Sequence, residues 1–321
     1  MQQFLNIIFT TSFAHSILRI STSLIYAGMA AVVAERVGVS NIGIEGMMLT
    51  AALTGVIFSA FTQNALVGLV CAILAGMLIS LIMSYFILNL KTHNVMSGLS
   101  VNMLAKGLTI FVLFALTGNK GASIALKSVN LPKWNIPLVQ NIPVLGEIIS
   151  GQNVLTYLAF VCVLLVSLFL YRTKSGVHIR AVGESPEAAK SVGIPVSRVQ
   201  YTALLISGGL AGVAGAYLSM GHMDGFTANM TSGRGFIALA ACSMGQTTPW
   251  GTLLAALIFG VADALSNSLQ VLRIPAQFVQ MIPYVVTILG IALYSIQKAA
   301  QKKKSARMAA QNNLLPAEET G

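Results

Sequence analysis

Long apolar stretches, more than any motif, limit how this chain can fold. They lie at about 17–34, 46–62, 64–90, 95–117, 153–171, 199–221, 235–247, 250–270 and 276–297. A helix crossing a bilayer needs roughly 17–25 predominantly apolar residues. Most of these segments qualify, 46–62 is borderline, and 235–247 is too short alone. Only 9% of the 321 residues are charged, against 55% hydrophobic, and the mean hydropathy is +0.79. Soluble domains carry roughly 25% charged residues, so water is not the solvent for this chain. The expected fold is an all-α polytopic membrane protein with about 8–10 transmembrane helices. The short, glycine-interrupted segments are read as discontinuous helices.

The net charge of +10 is concentrated beside the spans. Arg172, Lys174, Arg180, Lys190 and Arg198 share one loop, and Lys298, Lys302, Lys303, Lys304 and Arg307 share the C-terminal tail. Such clusters mark cytoplasmic segments, and without interleaved aromatics they argue against nucleic acid as a partner. Four apolar segments between the clusters return the chain to the same side. Segment 153–171 then runs inward, and 118–152, with Pro132, Pro137, Pro143 and Trp134, is an ordered extracytoplasmic loop with an interfacial anchor. Residues 1–300 form the transmembrane domain and 301–321 a polar cytoplasmic tail. The N-terminus lacks a basic region before Phe4 and continues apolar to Ala34, unlike a cleaved signal peptide. Cys71, Cys162 and Cys242 are isolated in apolar segments, as small buried hydrophobes rather than metal ligands.

The basic loop 172–198 contains the punctuation of a short helix over 186–192. Ser185 can cap it, and Pro186 occupies a first-turn position that needs no amide proton. Glu187 complements the helix dipole, Gly193 can end the helix, and Pro195 prevents its resumption. A small capped helix between two spans is shaped to fit a groove on another protein.

Polar residues interrupt the spans at a few places. In Glu-Arg-Val-Gly-Val-Ser-Asn-Ile-Gly-Ile-Glu-Gly-Met-Met-Leu, 35–49, Gly43 and Gly46 relax the backbone around Glu45. Glu45 reads as part of a cytoplasmic turn, as an ion-pair partner of Arg36 or Lys106, or as a polar group at a broken helix beside a substrate path. Lys106 and Asp263 also interrupt apolar spans and can pair with each other, and Asn102 shares the helix face of Lys106. Arg234 and Asp224 flank a glycine-rich turn, read as an interfacial position. Met244-Gly245-Gln246 and Pro249-Trp250-Gly251 suggest a second discontinuous element, pairing with the one near Gly43. Gly208 with Gly212, and Ala211 with Gly215, are small-xxx-small pairs, read as tight packing within the chain or as a surface that slides. His15, His93, His178 and His222 are scattered and make no proton relay. Without clustered His, Asp, Glu or Cys, an embedded enzyme is not expected.

Two stretches resemble a known family. Residues 35–49 resemble the N-terminal signature of permease subunits of bacterial ABC importers of the branched-chain amino acid and simple-sugar permease superfamily. Gly-Val-His-Ile-Arg-Ala-Val-Gly-Glu-Ser-Pro-Glu-Ala-Ala-Lys-Ser-Val-Gly-Ile-Pro-Val-Ser-Arg-Val, 176–199, resembles its cytoplasmic coupling loop, most specifically over 183–194. The resemblance extends over about residues 20–295. The first motif is similar to the nucleoside-type permeases, where ribose-type relatives usually show a Gly-Ile-Asp-Leu-Ser-like version. The short chain, with its loop after Thr117, resembles the shorter of two unequal permeases.

The resemblance implies a multi-pass subunit of the bacterial cell membrane forming half of a translocation path. It implies a second permease, an ATP-binding subunit with two fused nucleotide-binding halves, an extracytoplasmic substrate-binding lipoprotein, and membrane lipid around the spans. No cofactor is implied in this chain: nothing resembles a P-loop, and ATP belongs to the partner ATPase. Docking on that ATPase falls to Glu184, Ser185, Pro186, Glu187, Ala188, Ala189, Lys190 and Gly193. A nucleoside path needs hydrogen-bond partners, for which Asn41, Glu45, Asn94, Asn102 and Gln246 are the candidates. Simple sugars and branched-chain amino acids are the alternative substrates. A secondary transporter is the rival class, and it would not need a docking helix.

Overall fold

The structure, a computed structural model, describes residues 10–124, 126, 128–134 and 150–270. Ten helices and one short strand pair follow in order: α1 (Thr11–Arg36), α2 (Ile44–Thr62), α3 (Ala65–Leu88), α4 (Asn94–Thr117), β1 (Lys133–Trp134), β2 (Gln152–Asn153), α5 (Val154–Arg172), α6 (Lys174–Glu184), α7 (Pro186–Ser191), α8 (Val196–Tyr217), α9 (Arg234–Met244) and α10 (Pro249–Gln270). A five-residue π-helical turn, Leu218–His222, extends α8. Among the described residues, seven helices are long and apolar enough to cross a membrane, while α9 has only 11 residues. The chain is an all-α polytopic membrane protein. The ninth apolar segment, 276–297, and the tail 301–321 lie outside the described residues.

The polar residues between the spans start the helices. Asn64 accepts from the Leu66 N–H (2.9 Å), Asn153 from Leu155 (3.0 Å) and Thr173 from Gly176 (3.1 Å), each satisfying an amide that has no intrahelical acceptor. Of the spans, α1, α2 and α8 start without such a side-chain cap. α6 departs from the expectation of a loop. Its Gly176, Ile179 and Val182 are buried at helical spacing, a stripe too short to stand out among Lys174, Arg180 and Glu184.

The bundle is built around α1, buried without interruption over 20–34 and surrounded by α5, α8, α9 and α10. A helix buried on every face suits a sequence apolar on every face. Two of its buried hydroxyls are satisfied within the helix: Thr22 donates to the Leu18 carbonyl (2.7 Å) and Ser23 to the Ile20 carbonyl (3.2 Å). The glycine stripe of α8 is the tightest seam. Gly208 and Gly212 lie against Gly76, Ser80 and Ala72 of α3, and Gly215 against the Met48 carbonyl of α2. A Cβ at Gly212 would stand 2.8 Å from the Ala72 oxygen. This stripe packs within the chain, as small-xxx-small faces do in a bilayer.

The two ends of the bundle differ. At one end the α6–α7 pair packs under α5, α8 and the C-terminus of α1. At the other, β1 pairs antiparallel with β2, Lys133 opposite Asn153 and Trp134 opposite Gln152. There Arg19 donates to His222 Nδ1 (3.1 Å) and to its carbonyl (2.6 Å).

Candidate functional site

Two irregular segments enter the bundle from opposite ends and meet at one carboxylate. From the α6–α7 end, residues 37–43 rise after Arg36, and Asn41 donates to Ser207 Oγ at 2.9 Å. Ser207 is about 16 Å along α8 from Val196 at 1.5 Å per residue, so α2 begins well inside the bundle. From the strand end, residues 223–233 descend. Ser123 and Phe226 first tie this segment to the loop after α4, with the Phe226 N–H donating to Ser123 Oγ at 2.8 Å. The segment then turns with Gly233 at φ +81° and starts the half-length helix α9. Both breaks are thus discontinuous helices of the kind expected near Gly43, and the second starts at Gly233, before the Met244-Gly245-Gln246 stretch.

Glu45 closes this junction. Its Oε1 accepts from the Thr231 hydroxyl (2.6 Å) and the Gly233 N–H (2.8 Å), and its Oε2 accepts from the Gly235 N–H (2.7 Å). The side chain is 2% exposed. The carboxylate therefore occupies the positive end of α9, where free amides and the helix dipole favour an anion. The Thr-Ser-Gly-Arg-Gly run, 231–235, admits it closely: a Cβ on Gly235 would lie 2.6 Å from the Glu45 nitrogen. The ion pairs expected for Glu45 do not form. Arg36 donates to the Thr247 carbonyl (2.8 Å) and the Tyr171 hydroxyl (3.2 Å), while Lys106 is exposed on α4. Nor does Lys106 pair with Asp263, which binds Arg234 at 3.1 Å inside the bundle. Arg234 is thus part of the junction and not an interfacial residue; Asp224 accepts from Asn130 at 2.6 Å.

The five expected path residues separate into two groups. Asn41, Glu45 and Asn102 gather at the breaks. Asn102 accepts from the Gly46 N–H (2.8 Å) and donates to the Ile42 carbonyl (2.9 Å), fastening α4 to both sides of the first break. Asn41 is fully buried, with its Oδ1 lacking a hydrogen-bond partner. Asn94 is half-buried at the start of α4, and Gln246 is exposed, at φ +55°, in the turn between α9 and α10. That turn borders a hollow of about 320 Å³ lined by Gln246, Gly251 and Leu254.

The loop 172–198 forms a seated module. α7 spans Pro186–Ser191, with Ser185 Oγ accepting from the Ala188 N–H at 3.3 Å and Glu187 in its first turn. Ala189 is buried beneath it, and Gly193 leaves it at φ +84°. Between α7 and the start of α8 lies a groove of about 500 Å³, lined by Pro186, Glu187, Lys190, Ile194 and Arg198. α6 anchors the module: a Cβ on Gly183 would collide with the Arg36 carbonyl oxygen and stand 3.4 Å from the Gly38 nitrogen, so no side chain fits there. Two guanidiniums lie over the Tyr171 ring, those of Arg180 (5.1 Å) and Arg36 (6.0 Å), measured to its centroid. Arg36 thus joins the ends of α1 and α5 to the turn after α9. Its bonds, the Gly183 seat and the anion cradle at 231–235 escaped the sequence reading, although two glycines flanking Arg234 signalled a close approach. Among the described residues, no group of three or more His, Cys, Asp or Glu could hold a metal.

Known proteins are similar to this chain over most of its length. The guanosine ABC transporter permease protein NupQ of Bacillus subtilis is 38% identical over 284 residues, 84% of this chain and 87% of its own length. The nucleoside ABC transporter permease protein NupC of Lactococcus lactis is 33% identical over 293 residues, 88% of this chain and 92% of its own. TsgC13 of Haloferax volcanii, named for glucose ABC transport, is 36% identical over 262 residues, 80% and 77% of the two chains. A solved inward-facing metal-chelate-type ABC transporter has the same fold at 15% identity, with a TM-score of 0.52 over 87% of this chain and 84% of its own. Residues 13–291 match the family described as branched-chain amino acid transport system / permease component, and to that family of ABC transporter permease subunits the chain belongs.

Proposed function

We propose that this chain is one permease of a nucleoside importer, the shorter of an unequal pair, working with an ATP-binding subunit and an extracytoplasmic substrate-binding lipoprotein. The observation that carries the nucleoside assignment is the 38% identity to a guanosine permease over nearly its whole length. Simple sugars are the second reading, kept by the similarity to TsgC13. In this proposal the α6–α7 end is cytoplasmic and the strand end, with the loop 118–152, faces outward. ATP is bound and hydrolysed by the partner, and this chain carries no cofactor.

The coupling step follows from how α7 is held. The ATPase grips α7 at residues 184–190 and Gly193, and its closure pushes α7 through the short Ser185 joint onto α6. Because Gly183 rests directly on the Arg36 backbone, α6 cannot move without displacing the end of α1. Arg36 passes that displacement to Thr247, beyond α9, and the chain 37–43 passes it to the start of α2. Both routes end at Glu45, where α2 and α9 are joined.

The test is uptake of labelled guanosine, ribose and leucine by cells with the complete transporter and by matched cells lacking only this chain. Loss of guanosine uptake alone is expected. Loss of ribose or leucine uptake instead would overturn the nucleoside assignment.

A further inference from the structure

The helix faces that turn away from the bundle are not alike. α3 presents Leu66, Val70, Leu74 and Leu78, α5 presents Leu158, Val161, Leu165 and Leu168, and α10 presents Leu254, Ile258 and Val261. These surfaces suit acyl chains. The outward face of α4 also carries apolar side chains, Met96, Leu99, Met103 and Phe111 among them, and differs in exposing Ser100, Lys106 and Gly107 as well. Lys106 stands about 18 Å from the Asn94 end and about 16 Å from the Thr117 end at 1.5 Å per residue, the middle of the span. Its stem reaches roughly 6 Å, while a headgroup lies about 15 Å from the bilayer centre, so it cannot snorkel out. Among the described residues its ammonium has no hydrogen bond or ion pair, and Asp263 is engaged by Arg234. Beside it, Gly107 has no neighbouring heavy atom within 4 Å of where a Cβ would stand. A lysine at such a depth requires water or a polar partner.

We propose that the Met96–Gly107 face of α4 lines the aqueous translocation route shared with the second permease, and that Lys106 hydrogen-bonds the substrate as it passes. The inference rests on the reading of this chain as half of an importer. The helix is fixed for the task, since Asn102, four residues earlier, ties it to the first break. An ammonium offers three donors and no acceptor. It therefore fits a solute rich in acceptor atoms, ring nitrogens, carbonyl and hydroxyl oxygens, and repels a cationic one. Gly107 leaves space for a flat ring at that level.

The experiment uses the complete transporter in proteoliposomes. Lys106→Met should assemble with its partners and hydrolyse ATP, yet lose about tenfold or more in guanosine uptake, the scale of a lost hydrogen bond to a charged group. Lys106→Cys should lose uptake equally. Aminoethyl methanethiosulfonate should then restore it: the thiolate displaces methanesulfinate, and the resulting disulfide carries a new ammonium. A neutral methyl thiosulfonate should not restore it, and the wild-type chain, with its own three cysteines, serves as the control for both reagents. Wild-type uptake by Lys106→Met overturns the proposal. So does an introduced thiol that stays unmodified when the Lys106→Cys complex is assembled and hydrolysing ATP, since the lysine would then be covered by the partner or by lipid. If the wild-type transporter does not carry guanosine, the nucleoside reading fails, while labelling at position 106 still decides whether the route passes there.

Discussion

Replacing Glu45 with Gln should weaken the joint between α2 and α9 before it affects any step of transport. The carboxylate accepts three hydrogen bonds, two of them from backbone amides that no helical carbonyl can satisfy. Gln keeps one acceptor oxygen and turns an NH2 group toward the remaining donor, leaving at least one buried N–H unpaired, at about 1–3 kcal/mol. It also removes the charge from the α9 N-terminus, worth up to about 2 kcal/mol in a buried geometry. The sum is about 2–4 kcal/mol for Gln, and more for Ala, which strands all three donors. With an unfolding entropy of about 2.1 cal/mol/K per residue, 321 residues shift their melting midpoint by about 1.5 °C per kcal/mol. The purified transporter should therefore melt about 3–6 °C lower with Glu45→Gln and lower still with Glu45→Ala. Pairing each variant with Thr231→Val in a double-mutant cycle should give a non-additive result, because the two side chains share a bond of 2.6 Å. The reasoning is refuted if Glu45→Gln melts and assembles like the wild type while uptake disappears. The carboxylate would then serve the substrate and not the helix.

Three further outcomes are expected. Gly215→Ala should cost about 1–3 kcal/mol and lower the yield of assembled protein, because its methyl group meets the Met48 carbonyl, whereas Gly209→Ala, whose nearest neighbour is Met77 at 3.4 Å, should behave as wild type in the same melting assay. The double substitution Glu187→Ala with Ala189→Pro should leave membrane insertion intact and uncouple ATP hydrolysis from uptake, since it removes the Ala189 N–H bond to the Ser185 carbonyl (3.0 Å); wild-type coupling would sink this expectation. Arg36→Lys keeps the charge but not the two-armed reach to Thr247 and Tyr171, so uptake per ATP hydrolysed should fall, and an unchanged ratio would remove Arg36 from the coupling route.

How far the site could be read in advance varies from residue to residue. The cap at Ser185 and the stop at Gly193 were legible because capping is a local matter of residue type and spacing. Glu45 was visible as an anomaly, since a carboxylate among apolar residues needs a partner, but sequence offers lysines and arginines as partners and hides amides. Its actual partners come from a glycine-rich turn 186 residues away, counted to Thr231. Asn102 stands four residues before Lys106, yet it is buried with its amide bonded to Ile42 and Gly46, while Lys106 is exposed. α6 was lost among its charges, because three small and aliphatic residues at helical spacing carry a weak signal.

The chain by itself determined that it lives in a bilayer, which segments cross it, and where a short helix is capped between spans. These follow from composition, run length and neighbouring residues, all of which act over a few turns of helix. The tertiary structure decided that two broken helices share one carboxylate, that Arg36 clasps the end beneath them, and that the glycines of α8 pack against α3 and α2. Those choices depend on which backbone amides and carbonyls meet across the bundle. Every residue carries the same backbone groups, so the letters of the sequence do not distinguish them.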